Sequence, residues 1–230
     1  MKIGMILLCR YDSTRLHGKI LKKIKRKNII KYILERLVVV GDNYPIWVAT
    51  SNEKSDDPIV RFCKANSISF YRGSKSNVAL RFLNCALEMK IDYAIRINGD
   101  NIFTDPDVII EMIKLAKTGR YSFLSNVFNR TYPEGVSVEI VKVSLLKNKI
   151  TLFDSYDKEH VMSYFYNNLN NSDIYKFYNQ SFPIKKDIKL AIDDENDFAF
   201  ATKILSKMNK PHEYYNTSKL IELIEEYNIS

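Results

Sequence analysis

The sequence of 230 residues is poor in cysteine and has no apolar run long enough to cross a membrane. Cys9, Cys63 and Cys85 are an odd number with no close pair at metal-ligand spacing, so they indicate neither a disulfide framework nor a zinc site. The apolar run Ile3–Leu8 is followed at once by charged residues such as Arg10, before it could span a bilayer or complete an export signal. We therefore expect a cytoplasmic protein with no membrane partner and with buried or idle thiols.

The chain also lacks an internal repeat, a low-complexity tract and a recognisable linker. Its content of 46% hydrophobic and 27% charged residues is typical of a globular protein that can bury one full core. The net charge of +8 could suit nucleic acid, but no basic helix carries interleaved aromatics and the lysines are dispersed. We expect no nucleic-acid partner, because a lysine-rich solvated surface explains the charge and an anionic small substrate fits it equally well.

Apolar runs of strand length alternate with longer segments at helical spacing, which predicts β-α units in a mainly parallel sheet. The first half is predicted to contain strands at Ile3–Leu8 and at residues 46–49, 68–71 and 93–97, and helices at residues 29–37, 56–65, 78–87 and from about residue 105. The second half is predicted to contain strands at residues 136–141, 174–178 and 188–192, and helices at residues 194–204 and 218–227. The sequence therefore predicts an α/β fold in which a parallel core carries a small antiparallel addition.

A polar loop at residues 10–19 directly follows the first predicted strand, at the sheet edge where doubly wound proteins bind their ligands. Arg10, Arg15 and Lys19 can offset the charge of a triphosphate, and Ser13 or Thr14 can donate to phosphate oxygens. The glycine-rich spacing of a P-loop is missing. On composition alone, a phosphate cradle and a solvated basic loop explain this segment equally well.

Two aspartates at strand ends suggest a metal site. The strand at 93–97 ends in Asn98-Gly99-Asp100, and the strand at 188–192 ends at Asp193. Mg²⁺ typically binds one or two carboxylates and completes its shell with phosphates and water. The alternatives are that Asp193 only caps the helix that follows it and that Asp100 only ends a turn.

Seven segments, in the same order, resemble the CMP-3-deoxy-manno-octulosonate (CMP-Kdo) synthetases and the spore-coat polysaccharide cytidylyltransferase-like family, which is related to the CMP-acylneuraminate synthetases. They are residues 10–19, Asp57-Pro58-Ile59-Val60, residues 70–74, residues 96–100, residues 132–139, Glu159-His160-Val161 and residues 190–198. The resemblance covers nearly the whole chain and implies a Rossmann-like nucleotidyltransferase fold, a three-layer sandwich of the GT-A type. It also implies Mg²⁺-dependent transfer of a cytidylyl group from CTP to an acidic sugar or a related precursor of a surface polysaccharide.

The resemblance implies a role for individual residues. The triphosphate would be held by Arg10, Ser13, Arg15 and Lys19. The cytidine side would be lined by Arg72, Asn77 and Arg81, with Asn98 beneath the nucleotide. The metal ligands would be Asp100 and Asp193, which together with Lys19 and Arg15 would form the catalytic set. The acceptor would contact Asn126, Glu139 and His160, although His160 could be structural and Glu139 could be a solvent-facing strand residue.

The chain departs from the family pattern at positions that bear on the acceptor. His17 stands where the family usually has proline, Asn101 where it often has cysteine or glutamate, and Asp194-Glu195 where it has Thr-Pro. An acidic residue that is common near Asn77 is also absent. The resemblance further implies one domain over residues 1–230, with an inserted lobe around residues 127–187 that serves the acceptor and a homodimer interface.

Two other functions are compatible with an α/β nucleotide-binding fold, because a fold alone does not determine an activity. A nucleotide-sugar-dependent glycosyltransferase would generally carry an Asp-x-Asp motif after a central strand, whereas this strand ends in Gly99-Asp100-Asn101-Ile102. A non-catalytic nucleotide-binding protein would not need to keep both aspartates and all three cations of the loop. The sequence therefore favours the cytidylyltransferase.

Overall fold

The computed structural model describes residues 1–13, 15–185 and 188–229. Its strands are β1 (Ile3–Leu8), β2 (Lys23–Ile24), β3 (Lys27–Asn28), β4 (Ile46–Ser51), β5 (Phe70–Gly73), β6 (Tyr93–Asn98), β7 (Phe123–Ser125), β8 (Glu139–Lys142) and β9 (Ile174–Lys176). Its helices are α1 (Ile29–Val38), α2 (Asp57–Ala65), α3 (Val78–Glu88), α4 (Pro106–Ala116), α5 (Val143–Lys149), α6 (Ser155–Glu159), α7 (Ser163–Asn168), α8 (Glu195–Lys207) and α9 (Thr217–Glu226).

Seven strands form one sheet in the order β5-β4-β1-β6-β8-β7-β9, and β2 pairs with β3 in a separate antiparallel ribbon. The strands β1, β4, β5 and β6 are parallel to one another, β8 is antiparallel to both β6 and β7, and β9 is parallel to β7. Within the described residues, the antiparallel addition to this sheet is therefore a single reversed strand, and β7 and β9 run in the direction of the core. The predicted α/β class with a mainly parallel sheet is confirmed.

The central strand β1 is buried along its whole length, as expected for a parallel strand that is covered by helices on both faces. Its side chains alternate between two apolar clusters, because successive residues of a strand point to opposite faces. Ile3, Met5 and Leu7 pack with residues of α1, α4, α8 and α9, whereas Ile6 and Leu8 pack with residues of α3, α5 and α7. These two clusters give the three-layer sandwich. None of the described helices is long and apolar enough to span a membrane.

The predicted strand at residues 188–192 is wrong, because these residues form no strand of the sheet. Among the described residues it contributes one isolated bridge, between Lys189 and Glu134, and the Leu190 N–H donates to the Glu134 carbonyl at 2.7 Å. The turn beside it contains Gly135 at φ +98°, and a Cβ on this glycine would lie 2.2 Å from the backbone nitrogen of Ala191. Glycine at this position lets the turn press against the segment that leads to Asp193.

The other differences from prediction are in the second half, where the elements are short. The predicted strand at 136–141 begins only at Glu139, and the helices α5, α6 and α7 were not predicted. The three cysteines are free and buried, as predicted. Burial raises the pKa of Cys63 to about 11 and that of Cys85, which also lies near Glu88, to about 12.

Candidate active site

A cavity of about 460 Å³ opens at the carboxyl ends of β1 and β6, beside the start of α3. The predicted site residues that line it are Arg10, Ser13, Arg15, Lys19, Arg81, Asn98, Asp100, His160 and Asp193. The predicted residue Thr14 lies outside the described residues. The loop after β1, the end of β6 and the start of α8 therefore meet at one edge of the sheet.

The loop at residues 10–19 is fixed to the sheet by a buried aspartate that the sequence analysis missed. The Asp56 carboxylate accepts the Tyr11 N–H at 2.7 Å and the Ser51 N–H at 2.8 Å. Burial alone would raise the pKa of Asp56, but the hydrogen bonds from Ser51 and Tyr11 hold it below its usual value. The Tyr11 carbonyl in turn accepts the N–H groups of Ser13 and Gly18, each at 2.9 Å. The loop is thus folded back on Tyr11.

The two predicted metal ligands lie at the same edge of the sheet, within reach of one lysine. Lys19 Nζ is 3.8 Å from Asp100 Oδ2 and 3.4 Å from Asp193 Oδ1, and it donates to the Ile192 carbonyl at 2.8 Å. The Ile192 N–H donates to the Asp100 carbonyl at 3.0 Å, which ties the late segment directly to the end of β6. Arg15 Nη2 lies 3.0 Å from Asp193 Oδ1.

The alternative in which Asp193 caps the following helix is wrong, because its neighbour does so. Asp194 is the N-cap of α8, and its side chain accepts the N–H groups of Asn196 at 2.9 Å and Asp197 at 3.0 Å. Burial would raise the pKa of Asp193, but Lys189, Lys19 and Arg15 hold it below its usual value. Asp193 is therefore an ionised carboxylate directed at the cavity.

Asp100 carries a buried carboxylate oxygen, Oδ1, that makes no hydrogen bond among the described residues. Burial raises the pKa of Asp100, and the nearby Asp193 raises it further against the opposing effect of Lys19. Two carboxylates at one edge, one of them with an unsatisfied oxygen, are a donor set of the kind that Mg²⁺ binds. The residues present therefore fit a divalent cation.

Arg81 forms the α3 wall of the cavity. It is buried, its Nη1 donates to the Ser74 carbonyl at 2.6 Å, and its Nε has no hydrogen-bond partner in the described structure. Burial, and then the nearby Arg10, lower the pKa of Arg81 to about 10. The side chain thus stays cationic at neutral pH and has a donor to spare for a ligand.

Residues 5–223 match the model of the family described as Cytidylyltransferase. The chain belongs to this family. Cytidylyltransferases are nucleotidyltransferases, so the enzyme class inferred from the motifs is confirmed, as is the resemblance to the family.

Individual relatives agree with this assignment. The spore coat polysaccharide biosynthesis protein SpsF of Bacillus subtilis is 28% identical over 173 residues, which are 72% of this chain and 70% of the relative. The 3-deoxy-manno-octulosonate cytidylyltransferase of Geobacter metallireducens is 27% identical over 113 residues, 49% of this chain and 44% of that protein. The solved structure of a cytidylyltransferase from Leptospira borgpetersenii is 29% identical with a TM-score of 0.91, covering 99% of this chain and 95% of that one.

Two residues predicted to bind the cytidine do not line the cavity in the described part of this cytidylyltransferase, and both have partners within the protein. Arg72 donates to the carbonyls of Ser51 at 2.9 Å and Glu53 at 2.8 Å and is ion-paired with Asp57 at 2.8 Å. Asn77 is the N-cap of α3, and its side chain accepts the Leu80 N–H at 2.9 Å. Both side chains fix the β4–β5–α3 region.

Asn126, predicted to contact the acceptor, also lies outside the cavity lining. Its amide donates to the Val136 carbonyl and accepts the Val138 N–H, both at 2.8 Å. These side-chain hydrogen bonds fix the segment before β8, where no strand ladder does so.

Glu139 reaches the cavity only through another residue. It is buried, so the solvent-facing alternative is wrong, and it is ion-paired with Arg96, which does line the cavity. Arg96 was not predicted as a site residue, although it stands two positions before Asn98 and therefore on the same face of β6.

His160 lines the cavity and lies against the Tyr156 ring, with the ring centroids 4.3 Å apart.

Proposed function

We propose that this cytidylyltransferase transfers CMP from CTP to an acidic sugar, or to a related acidic precursor of a surface polysaccharide, and releases pyrophosphate in a Mg²⁺-dependent reaction. The observation that carries the proposal is the meeting of the Asp100 and Asp193 carboxylates around Lys19, at the base of a cationic loop and inside one cavity.

The cationic loop suits the triphosphate. Arg10, Arg15 and Lys19 line the cavity from one short segment, and charge-assisted hydrogen bonds from such groups are the strong ones available to phosphate. Arg15 and Lys19 are held by Asp193 in this structure, and both can transfer from a carboxylate to phosphate oxygens when CTP enters. Their charge offsets that of the departing pyrophosphate.

Asp100 and Asp193 would hold the metal. When bound there, Mg²⁺ supplies charge neutralisation at the phosphate and lowers the pKa of the acceptor hydroxyl. The chain's own contribution is positioning, because phosphoryl-type transfers need the attacking and leaving oxygens in line and need little covalent help from the protein. No protein nucleophile is required.

The acceptor class is supported by the relatives and by charge. One relative acts in spore coat polysaccharide biosynthesis and another is a 3-deoxy-manno-octulosonate cytidylyltransferase. The cavity carries cations beyond the loop, Arg81 and Arg96 among them, which favours a second anionic group alongside the triphosphate.

The test is pyrophosphate release. The protein is incubated with CTP, UTP, ATP or GTP, with Mg²⁺, and with a panel of sugar acids that includes 3-deoxy-manno-octulosonate and N-acetylneuraminate. We expect release that requires CTP, Mg²⁺ and a sugar acid together. Release of a nucleoside diphosphate from a sugar nucleotide, with none of pyrophosphate from CTP, would identify a glycosyltransferase instead.

We also propose that the enzyme is a homodimer whose interface lies in the lobe around residues 127–187. Large side chains are exposed in this stretch, among them Leu152 and Tyr156, and exposed apolar groups favour association. Light scattering coupled to size-exclusion chromatography is expected to give twice the chain mass of 26.9 kDa. A monomer at micromolar concentration would contradict this part of the proposal.

A further inference from the structure

Arg96 is supported from behind by a chain of hydrogen bonds that no step of the proposed reaction uses. Its guanidinium is ion-paired with Glu139, and Glu139 Oε1 accepts the Tyr166 hydroxyl at 2.6 Å. The Tyr166 oxygen lies 2.6 Å from Ser125 Oγ, which also accepts the Val127 N–H at 3.0 Å. Four elements, β6, β8, α7 and β7, thus converge on one cavity-lining arginine.

The direction of these hydrogen bonds follows from the donors available. Tyr166 has a single hydroxyl hydrogen and donates it to Glu139, so Ser125 donates its own hydrogen to the Tyr166 oxygen. Burial, and then the nearby Glu139, raise the pKa of Tyr166, so it stays protonated as a donor. Every bond of the chain points toward the Glu139 carboxylate, which holds Arg96 in one place.

Packing alone does not explain this ion pair. The Glu139 side chain is 4% exposed and that of Arg96 is 19% exposed. Removing two charges from water costs several kcal/mol, and apolar residues of similar volume often stabilise a fold as well or better. Arg96 lines the cavity, and its Nε is buried without a hydrogen-bond partner among the described residues, so the guanidinium has a donor that the protein itself does not satisfy.

Arg96 comes from a different element than the other cations of the cavity. Among the described lining residues, Arg10, Arg15 and Lys19 belong to the loop after β1, and Arg81 belongs to α3. Arg96 lies on β6 and is held from β8, on the opposite side of β6 from β1. The lining residues Glu159, His160 and Val161 come from the second half of the chain, as does Glu139.

From this geometry we infer that Arg96 binds the carboxylate of the acceptor, while the loop after β1 holds the triphosphate. The inference rests on the proposed function and adds the residue that selects an acidic acceptor. The Nε and Nη2 edge of a guanidinium matches the two oxygens of a carboxylate side by side, a match that lysine does not offer. Glu139 and Tyr166 are positioning residues that act through Arg96.

The experiment measures pyrophosphate release with 3-deoxy-manno-octulosonate and N-acetylneuraminate, each paired with its own neutral carboxamide. We expect the wild type to prefer each acid strongly. Arg96→Met is expected to raise the KM for the acid by about 30- to 5,000-fold, because losing one partner of a hydrogen-bonded charge pair costs about 2–5 kcal/mol. The KM for CTP should stay within about threefold, and the preference for acid over amide should vanish.

Arg96→Met leaves the Glu139 carboxylate buried without its partner, and this could unfold the protein. Further variants keep the result interpretable in that case. The double variant Arg96→Met/Glu139→Gln removes both charges, and we expect the same loss of acid preference in a folded protein. Tyr166→Phe keeps the arginine and should raise the KM for the acid by only about 3- to 10-fold, the effect of losing about 1 kcal/mol from one hydrogen bond, with acid preference retained. Arg61→Met on the exposed face of α2 is the matched control and should change neither KM.

Several outcomes would overturn the inference. One is an Arg96 variant that raises the KM for CTP and leaves the acid preference intact. Another is a wild type that accepts acid and amide equally, which would leave cytidylyl transfer itself standing. A wild type that accepts sugar phosphates but no sugar carboxylates would show that the acceptor's anionic group is not a carboxylate. If no sugar supports pyrophosphate release, the proposed function fails, and calorimetry of the two sugar acids with the CTP-loaded protein then decides on Arg96: no binding, or equal binding by Arg96→Met, contradicts it.

Discussion

The two sides of β6 hold their charges in different ways. On the β1 side, the Arg15 side chain is 65% exposed and pairs with Asp193, which Lys19 and Lys189 also contact. On the β8 side, Arg96 is paired with a carboxylate that is 4% exposed and is braced by Tyr166. The first arrangement can exchange partners when a triphosphate arrives, whereas the second is rigid before any ligand binds. The side proposed to bind the nucleotide can thus exchange ion-pair partners, and the side proposed to bind the acceptor is preorganised.

The largest expected effect is a loss of turnover at Asp193, which we expect to differ in role from its neighbour Asp194. Asp193→Asn should lower kcat by about 10³-fold, because it removes a charge that would hold the metal at the developing phosphate charge. Its Tm should fall, because three cations hold the pKa of Asp193 below its usual value and the charged carboxylate therefore stabilises the fold. The measurement is steady-state pyrophosphate release at saturating CTP and sugar acid.

Asp194→Ala is the control beside it. Loss of the α8 cap should cost about 1 kcal/mol of unfolding free energy, a fall of about 2–4 °C in Tm for a chain of this size. Turnover at a temperature where the variant is folded should be retained. If Asp194→Ala, rather than Asp193→Asn, abolishes turnover, the roles assigned to the two aspartates are reversed.

The next effect is on stability and concerns residues that the motifs placed in the site. Asn126→Ala leaves the Val136 carbonyl and the Val138 N–H without partners and should destabilise the fold by about 3 kcal/mol. Asn77→Ala removes one helix cap and should cost about 1 kcal/mol. Urea unfolding measures both. If either variant changed the KM for CTP or for the acceptor by more than threefold, that residue would have a role in substrate binding after all.

The smallest effect is a gain in stability at Asp100. Its pKa in the folded state is raised, so the folded protein binds this proton more tightly than the unfolded chain does, and stability is lost as pH rises through the folded value. Asp100→Asn should therefore have a higher Tm than wild type near pH 7.5. The difference should shrink as pH falls toward 4. Calorimetry that shows a less stable variant near pH 7.5 would contradict this.

The meeting of the residues on the proposed nucleotide side could be predicted from the sequence because of how parallel sheets are built. The loop at residues 10–19 and Asp100 each follow a buried apolar run, and the carboxyl ends of parallel strands share one edge. The sequence could not separate Asp193 from Asp194, since either could cap the following helix. The capping box of Asp194 with Asp197 decided between them, and the bond from the Ile192 N–H to Asp100 placed the segment.

The acceptor side could not be predicted in the same way. Arg96 and Glu139 are 43 residues apart and face each other only through the antiparallel register of β6 and β8, while Tyr166 comes from a six-residue helix with no clear periodicity. Asp56 was missed for a similar reason, because its partner Tyr11 is 45 residues away. Residue-by-residue transfer of roles from the motifs also assigned cytidine contacts to Arg72 and Asn77, whose side chains satisfy backbone groups outside the cavity.

The most direct test is binding of Mn²⁺ as a paramagnetic substitute for Mg²⁺, followed by electron paramagnetic resonance in the presence of CTP. We expect a CTP-dependent site in the wild type and in Asp194→Ala, and at least tenfold weaker binding in both Asp100→Asn and Asp193→Asn. Equal binding of Mn²⁺ and CTP by wild type and by both of these variants would show that the two carboxylates do not hold the metal nucleotide.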